Sequence, residues 1–393
     1  MLQPQRVRLL KVLLHIIFLL SGVTAVLVGP ILPVLAKHFA LNDLEVSFFF
    51  PAQFAGSLTG SFITSRLAKH NKYMTAAIIG GVMMAIGMLL MNADSFAGCL
   101  VGFFVNGLGI GLTLPSINMM IVEVEPERPA AALSFLNFCW GVGAILCKPF
   151  VDLFSTPDSI GLTTIILAVP LLVFSLLLRL AAGPSKQAAA QTVKDTDADY
   201  EPIWRMPIAW AIAFFNFVHV GFESGMGGWL TTYTDRLEGQ PITTWLSPTL
   251  LYFLFFVIGR GAAPLLFRFL NENKMLFLGL AIVLVGMALT LSAHTILALS
   301  LGSSIAGFGT SWIFPTNVSR FSKTFGPAAN RRATPLFMFG TLGAASVTWL
   351  IGFISNQTGN LRSGMYVLVV SVVVLIVVQI GLSVKTLRIE KKY

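Results

Sequence analysis

A dozen apolar stretches, each roughly 20–30 residues long, succeed one another along this chain, and each is long enough to cross a hydrocarbon layer of about 30 Å as a helix. Charged residues make up only 11% of the sequence and Phe alone occurs 32 times. A chain so composed has too little polar side chain to cover a water-soluble surface. In lipid every backbone polar group must be satisfied within the protein, and an apolar segment of this length meets that demand as a spanning helix. The sequence therefore reads as an all-α polytopic membrane protein with twelve transmembrane helices.

The spans fall at approximately 9–36, 44–67, 73–92, 96–122, 129–154, 159–181, 206–234, 245–269, 274–293, 295–319, 332–356 and 363–386. The first begins after Arg6, Arg8 and Lys11, as a signal peptide does. It continues to about Ala36 without a small-residue cleavage site, so it reads as a retained span. Of the 26 Lys and Arg residues, 21 lie on the side that holds both termini, and Lys37, Arg236 and Arg362 lie on the other. By the positive-inside rule both termini are expected in the cytoplasm. The formal net charge of +9 is explained by those loop flanks. It comes with no aromatic-interleaved basic patch, so no nucleic-acid partner is expected. Cys99, Cys139 and Cys147 all lie in apolar stretches, with neither a disulfide framework nor metal-ligand spacing.

The longest polar segment, 182–205, has the Ala, Gln, Ser and Asp content of a solvated linker. It divides the chain into an N-terminal six-helix bundle, 1–181, and a C-terminal one, 206–393. The halves echo each other at a nearly constant offset. Gly107-Leu-Gly-Ile-Gly-Leu-Thr-Leu-Pro115 in the fourth span faces Gly307-Phe-Gly-Thr-Ser-Trp-Ile-Phe-Pro315 in the tenth. Asn118 and Asn317 follow the two prolines, Gly143-Ala144 matches Gly343-Ala344, and Gly56 and Arg66 match Gly259 and Arg268. The order of these pairs points to two parallel repeats, an architecture of transporters that rock two bundles about a midplane site.

With these features the chain resembles the major facilitator superfamily along essentially its whole length. Three segments are similar to its fucose/glucose/galactose permease branch. They are Gly221-Phe-Glu-Ser-Gly-Met-Gly-Gly-Trp-Leu-Thr-Thr-Tyr233, Gly259-Arg-Gly-Ala-Ala-Pro-Leu-Leu-Phe-Arg268, and Ser134-Phe-Leu-Asn137 leading to Gly141-Val-Gly-Ala144. The resemblance implies two six-helix bundles and secondary transport of a sugar with a proton, in the manner of that branch's symporters. The pattern also departs from the family. After the second span Thr64 stands where the family signature has an Asp. In the fourth span Phe103 and Asn106 replace the Arg and Gln of many proton-coupled members. Around Cys147-Lys148-Pro149 the Gly-Pro pattern of drug/proton antiporters is absent.

Ionisable groups deep in spans are costly, and each is a functional candidate for that reason. His219 and Glu223 in the seventh span are i,i+4 and share a helix face. A carboxylate beside an imidazole can exchange a proton, so this pair is the expected proton-coupling site; the structural alternative is a hydrogen bond that ties two helices. Lys148 stands four residues before Asp152. It either pairs with that carboxylate or contacts substrate, which would favour an anionic sugar acid. Arg260 is expected as a structural bolt, with ligand binding as the alternative. His15 reads as a packing group. Asn106, Asn137, Asn216 and Asn317, with Gln53, Asn118 and Thr310, supply neutral hydrogen-bonding groups. Trp140 and Trp312, and also Trp229, are aromatic plates for a pyranose, although packing is the usual role of each.

No P-loop, metal cluster or nucleophile–base motif occurs, and the Gly-x-Gly runs read as close helix packing. The expectation is therefore a transporter and not an enzyme, a monomer without cofactor, driven by a proton or other ion gradient in a bacterial inner membrane. Its partner would be a small solute, a sugar or sugar acid. An organic-anion carrier anchored by Lys148 and a lipid or drug exporter are the competing transport readings. A receptor or scaffold is the non-transport one.

Overall fold

The structure is a computed structural model that describes residues 4–68, 70–181, 203–237, 246–326 and 333–390. These residues are almost wholly helical. The linker expected at 182–205 lies outside them except for a 3-10 turn, Ile203–Arg205. In chain order the helices are α1 (Pro4–Val26), α2 (Val28–His38), α3 (Asp43–Ser47), α4 (Phe49–Ala68), α5 (Tyr73–Leu90), α6 (Phe96–Val124), α7 (Pro129–Phe154) and α8 (Gly161–Ala181). They continue with α9 (Pro207–Asp235), α10 (Pro248–Leu266), α11 (Glu272–Ser292), α12 (Ile296–Thr310), α13 (Ile313–Phe325), α14 (Thr334–Thr358) and α15 (Leu361–Glu390).

Among the described residues, ten candidate spans are long and apolar enough to cross a membrane, with α12 and α13 counted as one. α4 and α9 complete the twelve. They are less apolar because α4 is rich in Gly, Ser and Thr and carries Gln53, and α9 carries Asn216, His219 and Glu223.

Two spans are less continuous than their hydropathy suggests. The first breaks at Leu27, between α1 and α2. Pro30 has no N–H for the Val26 carbonyl and weakens the helix there. The tenth breaks at Ser311–Trp312, between α12 and α13. Here Pro315 cannot donate to the Ser311 carbonyl. The second span, expected from 44, starts at Phe49; the residues ahead of it form the short helix α3. That helix opens with a reciprocal capping box, in which Asn42 Oδ1 accepts the Glu45 N–H and Glu45 Oε2 accepts the Asn42 N–H, both at 2.9 Å.

The described chain divides into two compact units, one of Met1–Leu41 with Phe48–Asp195 and one of Asn42–Ser47 with Thr196–Tyr393. In the first, α6 packs against α4 and α5, and α1 packs against α7. In the second, α12 packs against α10 and α11, and α9 packs against α14. Helices in lipid lack a hydrophobic drive toward one another and associate through close backbone packing at small residues. The glycines that match between the halves make matching contacts. A Cβ on Gly107 would overlap the Gln53 carbonyl of α4, and one on Gly307 the Tyr252 carbonyl of α10. A Cβ on Gly143 would strike Leu19 of α1, and one on Gly343 would strike Phe217 of α9. The internal repeat is thus a repeat of helix crossings as well as of letters.

Candidate functional site

Helix α9 carries the polar face of the second unit. Proceeding along it, Asn216 donates Nδ2 to the Leu336 carbonyl of α14 at 2.9 Å. The Ile212 carbonyl accepts Asn317 Nδ2 of α13 at 3.2 Å. His219 Nε2 lies 2.9 Å from Thr310 Oγ1, the last residue of α12. One turn further stands Glu223, whose main-chain carbonyl accepts the buried Tyr252 hydroxyl at 3.5 Å.

The Glu223 carboxylate is half-buried and lies in the field of Arg260. No salt bridge closes between them among the described residues. Arg260 lies instead over the Phe256 ring, 4.2 Å from its centroid, a cation–π contact that replaces part of its hydration. Its Nε points at the Ser311 carbonyl, 3.4 Å away, which is the carbonyl that Pro315 leaves free. Four groups that the sequence spreads over three spans (His219 and Glu223 on the seventh, Arg260 on the eighth, Thr310 on the tenth) therefore meet at the interruption of the tenth span, and Tyr252 joins them.

The first unit handles its own proline-freed carbonyl differently. Pro115 leaves the Gly111 carbonyl without its helical donor, and the Thr64 hydroxyl of α4 is shared between it, at 3.1 Å, and the Gly60 carbonyl of α4, at 3.0 Å. The Thr that replaces the expected Asp is thus a buried strut between α4 and α6. Arg66 lies over Phe62 of its own helix.

Several residues expected to face a solute do not do so in this conformation. Asn106, Asn216, Trp312 and Asn317 are all wholly buried. Asn106 Oδ1 accepts Gln53 Nε2 at 3.1 Å, and Trp312 Nε1 donates to the Met275 carbonyl at 2.9 Å. With no exposed face, Trp312 offers no plate for a sugar ring. A neighbouring helix satisfies one polar atom of each of the four, while Asn106 Nδ2, Asn216 Oδ1 and Asn317 Oδ1 are buried without a hydrogen-bond partner among the described residues.

Lys148 is buried and ion-paired with Asp152, i to i+4 on α7. The charge is thereby compensated inside its own helix, which lowers the case for an anion anchor. Asn137 is exposed on α7 and donates to its own helix at the Leu133 carbonyl, 2.8 Å away. Trp140 is half-buried, with its carbonyl against Gly22 of α1. His15 Nδ1 lies 2.7 Å from the Lys11 carbonyl, and its ring packs on Phe135, as a packing residue would.

The sequence reading missed two polar assemblies, both in the second unit. Asp43 of α3 receives both terminal nitrogens of Arg236, at 2.8 and 2.5 Å, and the Ser355 hydroxyl of α14. Burial raises the Asp43 pKa, but the bonds from Arg236 and Ser355 outweigh it and hold the carboxyl below the ordinary Asp value. At the other end of this unit, buried Arg320 donates to Gln379 Oε1 at 2.5 Å, and Gln379 Nε2 reaches Asn273 Oδ1 at 3.3 Å. Both join residues far apart in sequence, and only the bare charges of Asp43 and Arg320 were there to be read.

Among the described residues no cluster of His, Cys, Asp or Glu could hold a metal ion. Comparison with known proteins supplies the setting. Residues 14–348 match the model of the Major Facilitator Superfamily. The glucose/mannose transporter GlcP of Bacillus subtilis is 24% identical over 387 residues, covering 94% of this chain and 93% of that protein. Among solved structures, the nucleoside transporter NupG aligns with a TM-score of 0.74 at 14% identity, over 95% of this chain and 98% of its own. The transporter FucP in its outward conformation aligns with a TM-score of 0.62 at 19% identity, over 95% and 98%. With twelve spans in two matching sets of six and a family match over most of its length, this chain belongs to the Major Facilitator Superfamily of membrane transporters and is not an enzyme.

Proposed function

We propose that the chain is a proton-coupled symporter of a sugar, working by alternating access as a monomer in a bacterial inner membrane with both termini in the cytoplasm. The observation that carries this reading is Glu223. It is a half-buried carboxylate in a span, with a guanidinium in its field but no closed ion pair. A charge in a span is expensive to keep, and a carboxylate held this way can give up its charge by binding a proton and regain it by release. A carboxylate locked in a salt bridge would resist that change.

The sugar part of the reading is supported by the relationship to a glucose/mannose transporter across nearly the whole chain. It is also supported by the compensation of Lys148 by Asp152, which occupies the charge that would anchor an anionic solute there. In the second unit, half-buried Arg260 and Glu223 are the candidates for solute contact. No cofactor is needed, because the ion gradient supplies the work.

The test uses purified protein in liposomes with radiolabelled glucose and mannose as probes. Glu223→Gln is expected to abolish accumulation driven by a pH gradient while leaving sugar exchange at equal pH within about threefold of wild type, as a loss confined to coupling requires. If accumulation in the variant matches wild type, the proton role of Glu223 is wrong. Transport of gluconate in place of either sugar would overturn the sugar assignment.

A further inference from the structure

Each unit contains a carbonyl deprived of its helical donor by a proline, and the two are capped in chemically different ways. In α6 the Gly111 carbonyl, freed by Pro115, meets the neutral hydroxyl of Thr64 at 3.1 Å, which it shares with the Gly60 carbonyl of α4 at 3.0 Å. In the tenth span the Ser311 carbonyl, freed by Pro315, takes Arg260 Nε at 3.4 Å. The consequence for the helix also differs. α6 runs unbroken from Phe96 to Val124, whereas the tenth span is interrupted at the capped residue. A hydroxyl carries no net charge and responds only weakly to a carboxylate at a distance, whereas a guanidinium is drawn to it strongly.

We infer that Arg260 is a charge-responsive cap on the interruption of the tenth span, shared between the Ser311 carbonyl and Glu223 according to whether Glu223 carries a proton. This rests on Glu223 as the proton site and adds the part of the protein through which protonation acts. Ionised Glu223 draws the guanidinium toward itself and slackens the cap; protonated Glu223 leaves Arg260 to the carbonyl. His219 holds the other side of the break through Thr310, and Trp312 is fixed to Met275. These contacts flank the capped residue on both sides.

Close approach is built in at Gly259, where a Cβ would collide with Ser311 Oγ and come within 2.8 Å of the Phe308 carbonyl. The titratable groups in electrostatic reach of Arg260 and Glu223 are Tyr252 of α10 and His219 of α9. α12 and α14 contain no ionisable side chain. Those of α13, Arg320 and Lys323, lie two turns or more beyond the break, and Arg362 and Tyr366 stand at the start of α15. Arg260 is accordingly a positioning residue: it acts on the helix, with no solute contact required.

Hydrogen–deuterium exchange of the full chain in lipid nanodiscs reads this directly and needs no substrate. In wild type, exchange over residues 306–320, corrected for intrinsic rates, is expected to slow by about tenfold as pH falls and Glu223 protonates, the value of one charge-assisted hydrogen bond. Glu223→Gln should be slow at every pH and Arg260→Gln fast at every pH. Pro315→Ala restores the missing N–H and should return Arg260→Gln to slow exchange at every pH. Unchanged pH dependence in Arg260→Gln, or failure of Pro315→Ala to restore protection, overturns the inference. The proton-symport reading fails separately: pH-gradient-driven uptake that survives Glu223→Gln removes it, whatever the exchange pattern shows.

Discussion

At the scale of single residues, a charge inside a span was legible in the sequence, but its partner was not. Glu223, His219, Lys148 and Arg260 stand out because each breaks an apolar run. Of these, Lys148 alone has its salt-bridge partner within one turn, so its pairing with Asp152 could be foreseen. Asp43 gives no such signal, since Arg236 and Ser355 are 193 and 312 residues away. Its carboxyl is held below the ordinary Asp value, so the stability it confers is complete above the unfolded carboxylate range. That stability is lost as pH falls through the lower folded value. Asp43→Asn should therefore lower stability at neutral pH by about 1–2 kcal/mol, discounted for the exposure of Arg236. Thermal unfolding of purified protein across a pH series checks this. The gap between variant and wild type should narrow toward acid, and a gap that is constant with pH would exclude the ionised carboxyl as its cause.

At the scale of helices, the number and placing of spans followed from hydropathy, while their interruptions did not. A proline inside an apolar run permits a break without fixing one. Pro115 and Pro315 occupy matching places, yet only the second span of the pair is broken. The free carbonyl also meets a different group in each half, Thr64 in one and Arg260 in the other, a tertiary fact. The glycines were read correctly as packing sites but could not be ranked by sequence. The structure ranks them. Gly107 and Gly307 lie against carbonyl oxygens of the adjacent helix, whereas a Cβ on Gly261 meets nothing within 4 Å. Gly261→Ala should raise stability by roughly 0.5–1 kcal/mol, from the reduced entropy of the unfolded backbone. Gly107→Ala and Gly307→Ala should each lower it by roughly 1–3 kcal/mol, because two helix backbones must separate. Opposite signs in thermal unfolding are the required result; losses of similar size at all three positions would mean the crossings are not as close as described.

At the scale of the whole chain, the repeat and the charge asymmetry carry different kinds of information. The repeat is a matter of contacts, and the matched crossings of α4 with α6 and α10 with α12 express it in three dimensions. Orientation depends on a membrane and is argued from charge alone. An even number of spans puts both termini on one side whatever the orientation, and 21 of 26 basic residues accompany them. Asp43 and Arg236 bear on the same point from within the second unit. They join α3 to the end of the seventh span, so these two segments lie at the same end of the second unit. Single cysteines at Asp43, Arg236 and Arg362, in a background lacking Cys99, Cys139 and Cys147, should react with a membrane-impermeant maleimide added to intact cells. Cysteines at Arg128, Arg179 and Lys274 should react only after the membrane is opened. Complete reversal would invert the positive-inside assignment and leave the fold intact. A mixed pattern within either set would break the twelve-span count itself, because no even number of crossings could then join the labelled positions.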